Sequence, residues 1–252
     1  MRRSFLKASC ILFCISFLLQ TSVVRAAEDI IHDMVKLDQA YIPALAFTSE
    51  EKLGPSREAM KSLNRAWNSF NTRYQSDSHG DAQWKPDFDK IDSYIGAADK
   101  IVIDGKNIKD AHEELEHVRI VLMHLRERNH IEYFVDNLTR FHKPMEEIVL
   151  SAKDKDDATL KDEDIEHIRI AFPIAKNLWK STSAAKFDAF TYGFDSTRAA
   201  KLHNLIEKET QSLERLEKAI KGRNKKEIIG AAIGIKPNFA QIFKLFGRFP
   251  KT

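Results

Sequence analysis

Histidine and glutamate recur together in the middle of the chain, on two segments with helical periodicity. His112 and Glu116 lie four residues apart on the first segment, and His142 and Glu146 repeat that spacing on the second. Residues four apart share one face of an α-helix. Imidazole and carboxylate together are ligands that Zn, Fe, Cu or Mn ions take inside helical bundles. The two pairs therefore predict a metal site, provided that the two segments lie side by side.

The connection between the two segments decides whether these pairs can meet. His112 and Glu146 are each 17 residues from Asn129, and Glu116 and His142 are each 13 residues from it. A reversal at Asn129, with this residue in a left-handed cap conformation, would bring all four side chains to neighbouring levels of a hairpin. A helix that continued through this point would hold His112 and His142 about 45 Å apart, at 1.5 Å per residue. We favour the reversal.

Helical periodicity extends over nearly the whole chain, and no run alternates as a half-buried strand does. Nine Gly and seven Pro residues are few for a loop-rich β fold. The sequence therefore predicts an all-α protein. The predicted helices span Asp29–Thr48, Ser56–Gln75, Lys85–Ile103, Ile108–Arg128, Ile131–Lys153, Lys161–Ser181, Ser196–Lys221, Lys225–Ile233 and Asn238–Leu245.

The order of features in the two halves indicates an internal duplication. Each half has a first helix with an internal proline, Pro43 or Pro144, and a second helix with a tryptophan, Trp67 or Trp179. A glycine-containing segment then ends the third helix of each half. We predict two tandem four-helix-bundle-like units of up-down topology. The predicted division is 1–26 for a signal peptide, 27–129 for the first unit and 130–252 for the second unit, which ends in an aromatic helix.

The first 26 residues have the layout of a signal peptide. Arg2, Arg3 and Lys7 precede an apolar run, and Val24 and Ala26 place small residues for cleavage after Ala26. The segment from Arg2 to Lys7 also resembles the twin-arginine export motif. Both the general secretory route and the twin-arginine route therefore stay open. We expect an exported, periplasmic protein.

Charge and cysteine content exclude several classes of protein. The chain has 40 basic and 37 acidic residues, but four basic residues and no acid lie in the leader, so the remainder carries 36 − 37, a net charge of −1. This near neutrality argues against a nucleic-acid-binding protein. Cys10 and Cys14 both lie in the leader, which excludes disulfides, thiolate metal sites and covalent haem attachment in the remainder. No phosphate loop, nucleophile elbow or His-Glu-x-x-His motif occurs, so we expect no enzyme.

One resemblance adds a cofactor to these expectations. The segment Ala27-Glu-Asp-Ile-Ile-His-Asp-Met34, followed by Gly105-Lys and a histidine-bearing fourth helix, resembles the soluble periplasmic b-type cytochromes. These are four-helix bundles, and the resemblance covers the first half of the chain. It implies non-covalent haem b held by Met34 and by a histidine of the fourth helix. His124 is the nearest histidine, and the family's position falls slightly beyond it, at Arg126.

The C-terminal segment carries aromatic residues at helical spacing. Phe239, Phe243 and Phe246 share one face, with lysine and arginine residues around them. One interpretation is contact with another periplasmic protein, or peripheral contact with a membrane. The other, which we favour, is that this helix closes the core of the second half. The main functional prediction is non-catalytic binding of a metal ion or a metal-containing cofactor, and the alternative is a cofactor-free interaction module that uses bundle faces and this helix.

Overall fold

The structure is a computed structural model that describes residues 29–77 and 80–250. The predicted signal peptide and its cleavage site lie outside these residues. Within them the regular elements are helices and no strand occurs, so the all-α prediction is confirmed. None of the helices in this part of the chain combines the length and apolar character that crossing a bilayer requires.

The helices agree with the predicted ones to within three residues at each end. Helix α1 covers residues 29–49. The other helices are α2 (Leu53–Tyr74), α3 (Trp84–Asp104), α4 (Ile108–Arg128), α5 (Phe134–Ala152), α6 (Asp162–Ala184), α7 (Ser196–Gly222), α8 (Lys225–Ile233) and α9 (Ile235–Lys244).

Local sequence signals set several of these ends. The side chain of Asp195 accepts a hydrogen bond of 2.7 Å from the backbone N–H of Arg198 and caps the start of α7. Asn224 caps α8 in the same way. Gly105 ends α3 with φ at 76°, a left-handed conformation that costs glycine little.

The chain reverses between α4 and α5. His130 lies in the left-handed region with φ at 55°, whereas Asn129 has φ at −99°. The left-handed residue is therefore one position beyond the predicted one. The side-chain amide of Asn129 donates a hydrogen bond of 2.8 Å to the carbonyl oxygen of Leu125 and so satisfies an acceptor at the end of α4. The predicted break in the helix is observed, and the two helices run side by side.

The buried apolar side chains form one cluster to which every helix contributes. The predicted apolar stripes of α4 and α5, including Leu115, Leu122, Leu138 and Phe141, are buried in it. Helix α3 packs on α4, α5 packs on α6, and α8 and α9 pack on both α5 and α7. The division into units 27–129 and 130–252, and the duplication behind it, stay predictions.

The two tryptophans of the predicted repeat have similar surroundings. Trp67 is buried, and its indole N–H donates a hydrogen bond of 2.9 Å to Oδ1 of Asp92. Trp179 is also buried and donates one of the same length to Oγ1 of Thr210. The indole of Trp67 thus links α2 to α3, and the indole of Trp179 links α6 to α7.

Candidate functional site

A cavity of about 360 Å³ lies between α1, α4, α5 and α9. The four side chains of the predicted metal site, His112, Glu116, His142 and Glu146, all line this pocket. The reversal after α4 brings the two pairs together, and Nδ1 of His142 lies 3.9 Å from Oε2 of Glu116. The four residues predicted from their spacing in the sequence therefore lie at one site in the fold.

In the first pair, His112 and Glu116, the imidazole is oriented by the backbone of α1. Nδ1 of His112 lies 3.2 Å from the carbonyl oxygen of Leu45. Because a carbonyl oxygen only accepts, we assign the ring proton to Nδ1, and Nε2 then carries a lone pair. Nε2 lies 3.6 Å from Oε1 of Glu116. Adjacent ligands of a tetrahedral ion with bonds of about 2.0–2.2 Å lie about 3.3–3.6 Å apart, so this pair has nearly that separation.

The second pair, His142 and Glu146, is engaged by two cations. The guanidinium of Arg119 donates to Nδ1 of His142, so the ring proton lies on Nε2, 3.8 Å from Oε2 of Glu146. Lys236 donates a hydrogen bond of 2.9 Å to Oε1 of Glu146. Oε2 of Glu146 is buried and has no hydrogen-bond partner among the described residues. Because Arg119 and Lys236 already bind His142 and Oε1 of Glu146, this pair is less available to a ligand than the first pair.

Arg119 lies at the centre of the four residues. Its side chain is only 6% exposed, and its guanidinium contacts Glu116 on its own helix and His142 on α5. The positive charge thus stands between a carboxylate and an imidazole on facing helices. In this arrangement, no three Cys, His, Asp or Glu side chains of the described residues are placed to hold a metal ion together.

Burial sets the protonation state of the pocket. Burial, together with the positive charges of Arg119 and Lys236, lowers the pKa of His142 to about 2. Burial also lowers the pKa of His112. Burial raises the pKa of Glu116, although the positive charge of Arg119 opposes this rise. Both imidazoles are therefore neutral at neutral pH, which is the state in which imidazole binds a metal ion.

Helix α9 forms the outer wall of the pocket and carries its rim charges. Lys236 pairs with Glu146 at 2.9 Å, and Lys244 pairs with Glu50 at 2.5 Å, next to the end of α1. Phe239 and Phe243 line the wall between these two lysines. The pocket therefore has a polar floor on α4 and α5 and a partly apolar wall on α9.

The aromatic side chains of the C-terminal segment lie in the core. Phe239, Phe243 and Phe246 are only 4%, 7% and 3% exposed. Phe246 packs against Phe134 and Phe194, with ring centroids 5.8 Å and 5.1 Å away. These three rings therefore do not form an exposed surface for a partner or a membrane, because the fold uses them to close the core, as the favoured interpretation predicts.

The two residues of the haem alternative lie in different surroundings. Met34 is fully buried in α1. His124 is exposed on α4, and its Nδ1 lies 2.9 Å from Oε2 of Glu127. Arg126, at the position that the resemblance gives to the haem-binding histidine, is buried and donates two hydrogen bonds to Asp136. The structure does not bring the imidazole of His124 into the core beside Met34.

Three cations of the pocket were missed by the sequence analysis. Arg119 had a detectable signal, because it lies seven residues after His112 and three after Glu116, on the same helical face. Lys236 and Lys244 had none, because they come from α9, and 90 residues separate Lys236 from the carboxylate that it pairs with.

The chain matches no protein-family model, and the comparisons with curated proteins and with solved structures gave no significant match. Its function is therefore inferred from the pocket itself.

Proposed function

We propose that this protein binds a transition-metal ion in the pocket, without catalysing a reaction, after export to the periplasm. The observation that carries the proposal is the arrangement of the first pair. Nε2 of His112, which carries a lone pair in the tautomer assigned above, lies 3.6 Å from Oε1 of Glu116. The opposite ring nitrogen of His112 is bonded to the carbonyl of Leu45, which is how metal-binding histidines are usually oriented.

The ligand set would be completed by the second pair. His112 and Glu116 offer one nitrogen and one oxygen as they stand, and His142 and Glu146 offer the same elements once Arg119 and Lys236 release them. Two imidazoles and two carboxylates suit Zn, Fe or Cu ions, and Zn in particular takes such a set in tetrahedral geometry. The cavity of about 360 Å³ exceeds the room that a bare ion needs, so the bound form includes water or the organic part of a small metal-containing cofactor.

The proposed location follows from the predicted signal peptide. The chain beyond residue 26 has no cysteine, so it cannot form wrong disulfides in an oxidising compartment, and its metal ligands are not oxidised there. An imidazole and carboxylate site is therefore a suitable one for a metal-binding protein of the periplasm.

The direct test is the metal content and metal affinity of the purified protein. Protein isolated from the periplasm is analysed by mass spectrometry of its metals, and the stripped protein is then titrated with Zn²⁺ in a calorimeter. We expect one ion per chain, and we expect H112A and E116Q each to weaken binding by at least about tenfold.

The matched control is H203A. His203 and Glu207 have the same four-residue spacing on α7, and their Nε2 and Oε1 atoms are 3.3 Å apart, but both side chains are exposed. H203A should leave the affinity unchanged if the pocket is the site. Equal losses in H203A and H112A, or no binding of Zn²⁺, Fe²⁺ or Cu²⁺ by the wild type and its pocket variants, would contradict the proposal.

The second candidate function is a cofactor-free interaction module, and the exposed apolar side chains favour it. Phe190 is 92% exposed, and Ile170 and Ile174 are more than half exposed on one face of α6. In that case the purified protein holds no metal, and a periplasmic partner retained by the wild type is lost from F190S. Retention of the partner by F190S would count against this candidate.

A further inference from the structure

We propose that Arg119 is an internal cation that competes with metal ions for the pocket and thereby determines which ions bind. This inference rests on the proposed function. In the protein without a bound ion, the guanidinium bridges Glu116 and His142. When an ion binds, the guanidinium leaves these two side chains, and both become ligands of the ion.

The hydrogen bonds of Arg119 show why it is the residue that moves. Its Nε is buried and has no partner among the described residues. Arg126, about two turns further along α4, is also buried, but its Nε and terminal nitrogen both donate to Asp136, and its guanidinium lies 4.4 Å from the ring centre of Tyr133. A buried donor without an acceptor is costly. Arg119 is therefore held less firmly than Arg126, and displacing it costs less.

The two oxygens of Glu116 have different neighbours. Arg119 contacts Oε2, whereas Oε1 lies 3.6 Å from the unprotonated Nε2 of His112. An ion can therefore bind between His112 and Glu116 while Arg119 is still in place. Two positive charges on one carboxylate repel each other strongly in a buried site. This repulsion favours release of the guanidinium.

The release needs neither a proton transfer nor much new space. Nδ1 of His142 accepts from Arg119 and is already unprotonated, so it can bind an ion as soon as the guanidinium leaves. The adjacent cavity of about 360 Å³ has room for a guanidinium, and the carboxylate of Glu113 also lines it. Arg119 can therefore remain charged and paired after displacement.

Competition with an internal cation sets a minimum binding strength that any metal ion must exceed. An ion displaces Arg119 only if its bonds to imidazole and carboxylate outweigh the contacts that the guanidinium loses. Affinity for such ligands rises from Mn²⁺ through Fe²⁺ to Cu²⁺ and Zn²⁺, whereas Mg²⁺ and Ca²⁺ prefer all-oxygen sites. We therefore expect the wild type to bind Zn²⁺ and Cu²⁺ and to exclude Mg²⁺ and Ca²⁺.

The test compares two substitutions of Arg119 in Zn²⁺ and Mn²⁺ titrations. R119M removes the charge and keeps most of the volume, whereas R119K keeps the charge. We expect R119M to bind both ions at least about tenfold more tightly than the wild type, the scale of a typical coupling between two sites, and R119K to stay near the wild type. R140M is the matched control, because Arg140 pairs with Glu127 on the exposed side of the hairpin. Its affinity should not change.

The outcomes separate this inference from the proposed function. If the wild type binds the ions and R119M binds them equally or more weakly, the role of Arg119 is overturned and the metal site still stands. No binding by the wild type and none by R119M overturns the proposed function itself. Tight binding by R119M that H112A abolishes supports both.

A measurement on the unaltered protein covers the case in which R119M does not fold. The Nε–H signal of Arg119 in a ¹⁵N spectrum, assigned by its absence from R119K, reports the position of the guanidinium. We expect this signal to move in proportion to Zn²⁺ occupancy and to exchange faster with water at saturation. A signal that stays unchanged at full occupancy overturns the inference.

Discussion

Arg126 donates from Nε to Oδ2 of Asp136 over 2.9 Å and thereby joins the last turn of α4 to the first turn of α5. Both side chains are only 3% exposed. The neighbouring Tyr133 donates a hydrogen bond of 2.8 Å to Oδ2 of Asp38 in α1, and burial raises the pKa of Asp38 to about 6. This buried network holds the hairpin on which the pocket depends.

Removing the charge of Arg126 should destabilise the protein severely. R126M leaves Asp136 buried without its partner, and breaking a buried pair in this way costs about 3–5 kcal/mol. Urea unfolding followed by circular dichroism measures the loss. R140M, which removes the exposed pair with Glu127, should cost less than about 1 kcal/mol. Equal costs for the two variants would show that the Arg126 pair does not hold the hairpin.

Glycine at position 130 should stabilise the fold. His130 is exposed and has φ at 55°, a conformation that costs a residue with a Cβ about 1 kcal/mol and costs glycine little. We expect H130G to raise the free energy of unfolding by about 0.5–1 kcal/mol. The same substitution at the exposed His167, inside α6, should lower it by roughly 0.5 kcal/mol. Thermal unfolding of both variants checks the prediction, and a loss of stability in H130G would contradict it.

The buried imidazole of His142 should make the protein sensitive to mild acid. Burial holds the pKa of His142 at about 2 in the folded state, whereas an unfolded histidine titrates near pH 6.5. Below pH 6.5 the unfolded chain binds a proton that the folded chain does not, so stability falls by about 1.4 kcal/mol per pH unit from this group.

The measurement is urea unfolding of metal-free protein between pH 6.5 and 4.5. H142Q, which keeps an acceptor for Arg119, should lose stability less steeply with falling pH than the wild type does. H203Q is the control, since His203 is exposed and its replacement should not change the slope. Parallel curves for H142Q and the wild type would contradict the assignment of a neutral buried imidazole.

Glu209 should have the opposite pH dependence. Its side chain on α7 is fully buried, neither oxygen makes a hydrogen bond of normal geometry with the described residues, and burial raises its pKa to about 8. Between its unfolded pKa of about 4.3 and pH 8, the unfolded chain ionises this group before the folded chain does. Stability from this group therefore falls as the pH rises through that window.

Replacing Glu209 by glutamine removes this penalty. E209Q should be more stable than the wild type by a few kcal/mol at pH 8, and the difference should shrink towards pH 4.5. E214Q, at an exposed position of the same helix, should change little at either pH. Unfolding of the three proteins at both pH values checks this, and a difference independent of pH would contradict it.

The helices were predictable from the sequence because their signals are local, and the errors have local causes. The bounds of α4 and α8 agree residue for residue with the prediction. Helix α5 begins at Phe134 rather than Ile131, because the chain leaves His130 in an extended conformation that reaches Tyr133, with φ at −142°. Helix α9 begins at Ile235 rather than Asn238, since Pro237 falls in the first turn, where its missing N–H breaks no helical bond.

Part of the site was also predictable, because the signal of its histidine and glutamate residues is local. His112, Glu116, His142 and Glu146 were found because their spacing is helical and symmetric about the reversal. Their hydrogen-bond partners from other helices, such as the carbonyl of Leu45, depend on tertiary packing that no sequence period encodes.

The pocket is built from both ends of the described chain. Glu50 and Lys244 meet at its rim although 194 residues separate them. A polypeptide still emerging from the ribosome has no such pocket until α9, which follows the other helices that line it, has been synthesised. On the proposed function, an ion can therefore enter only after α9 has packed, and the compartment where this packing takes place decides which ions the pocket meets first.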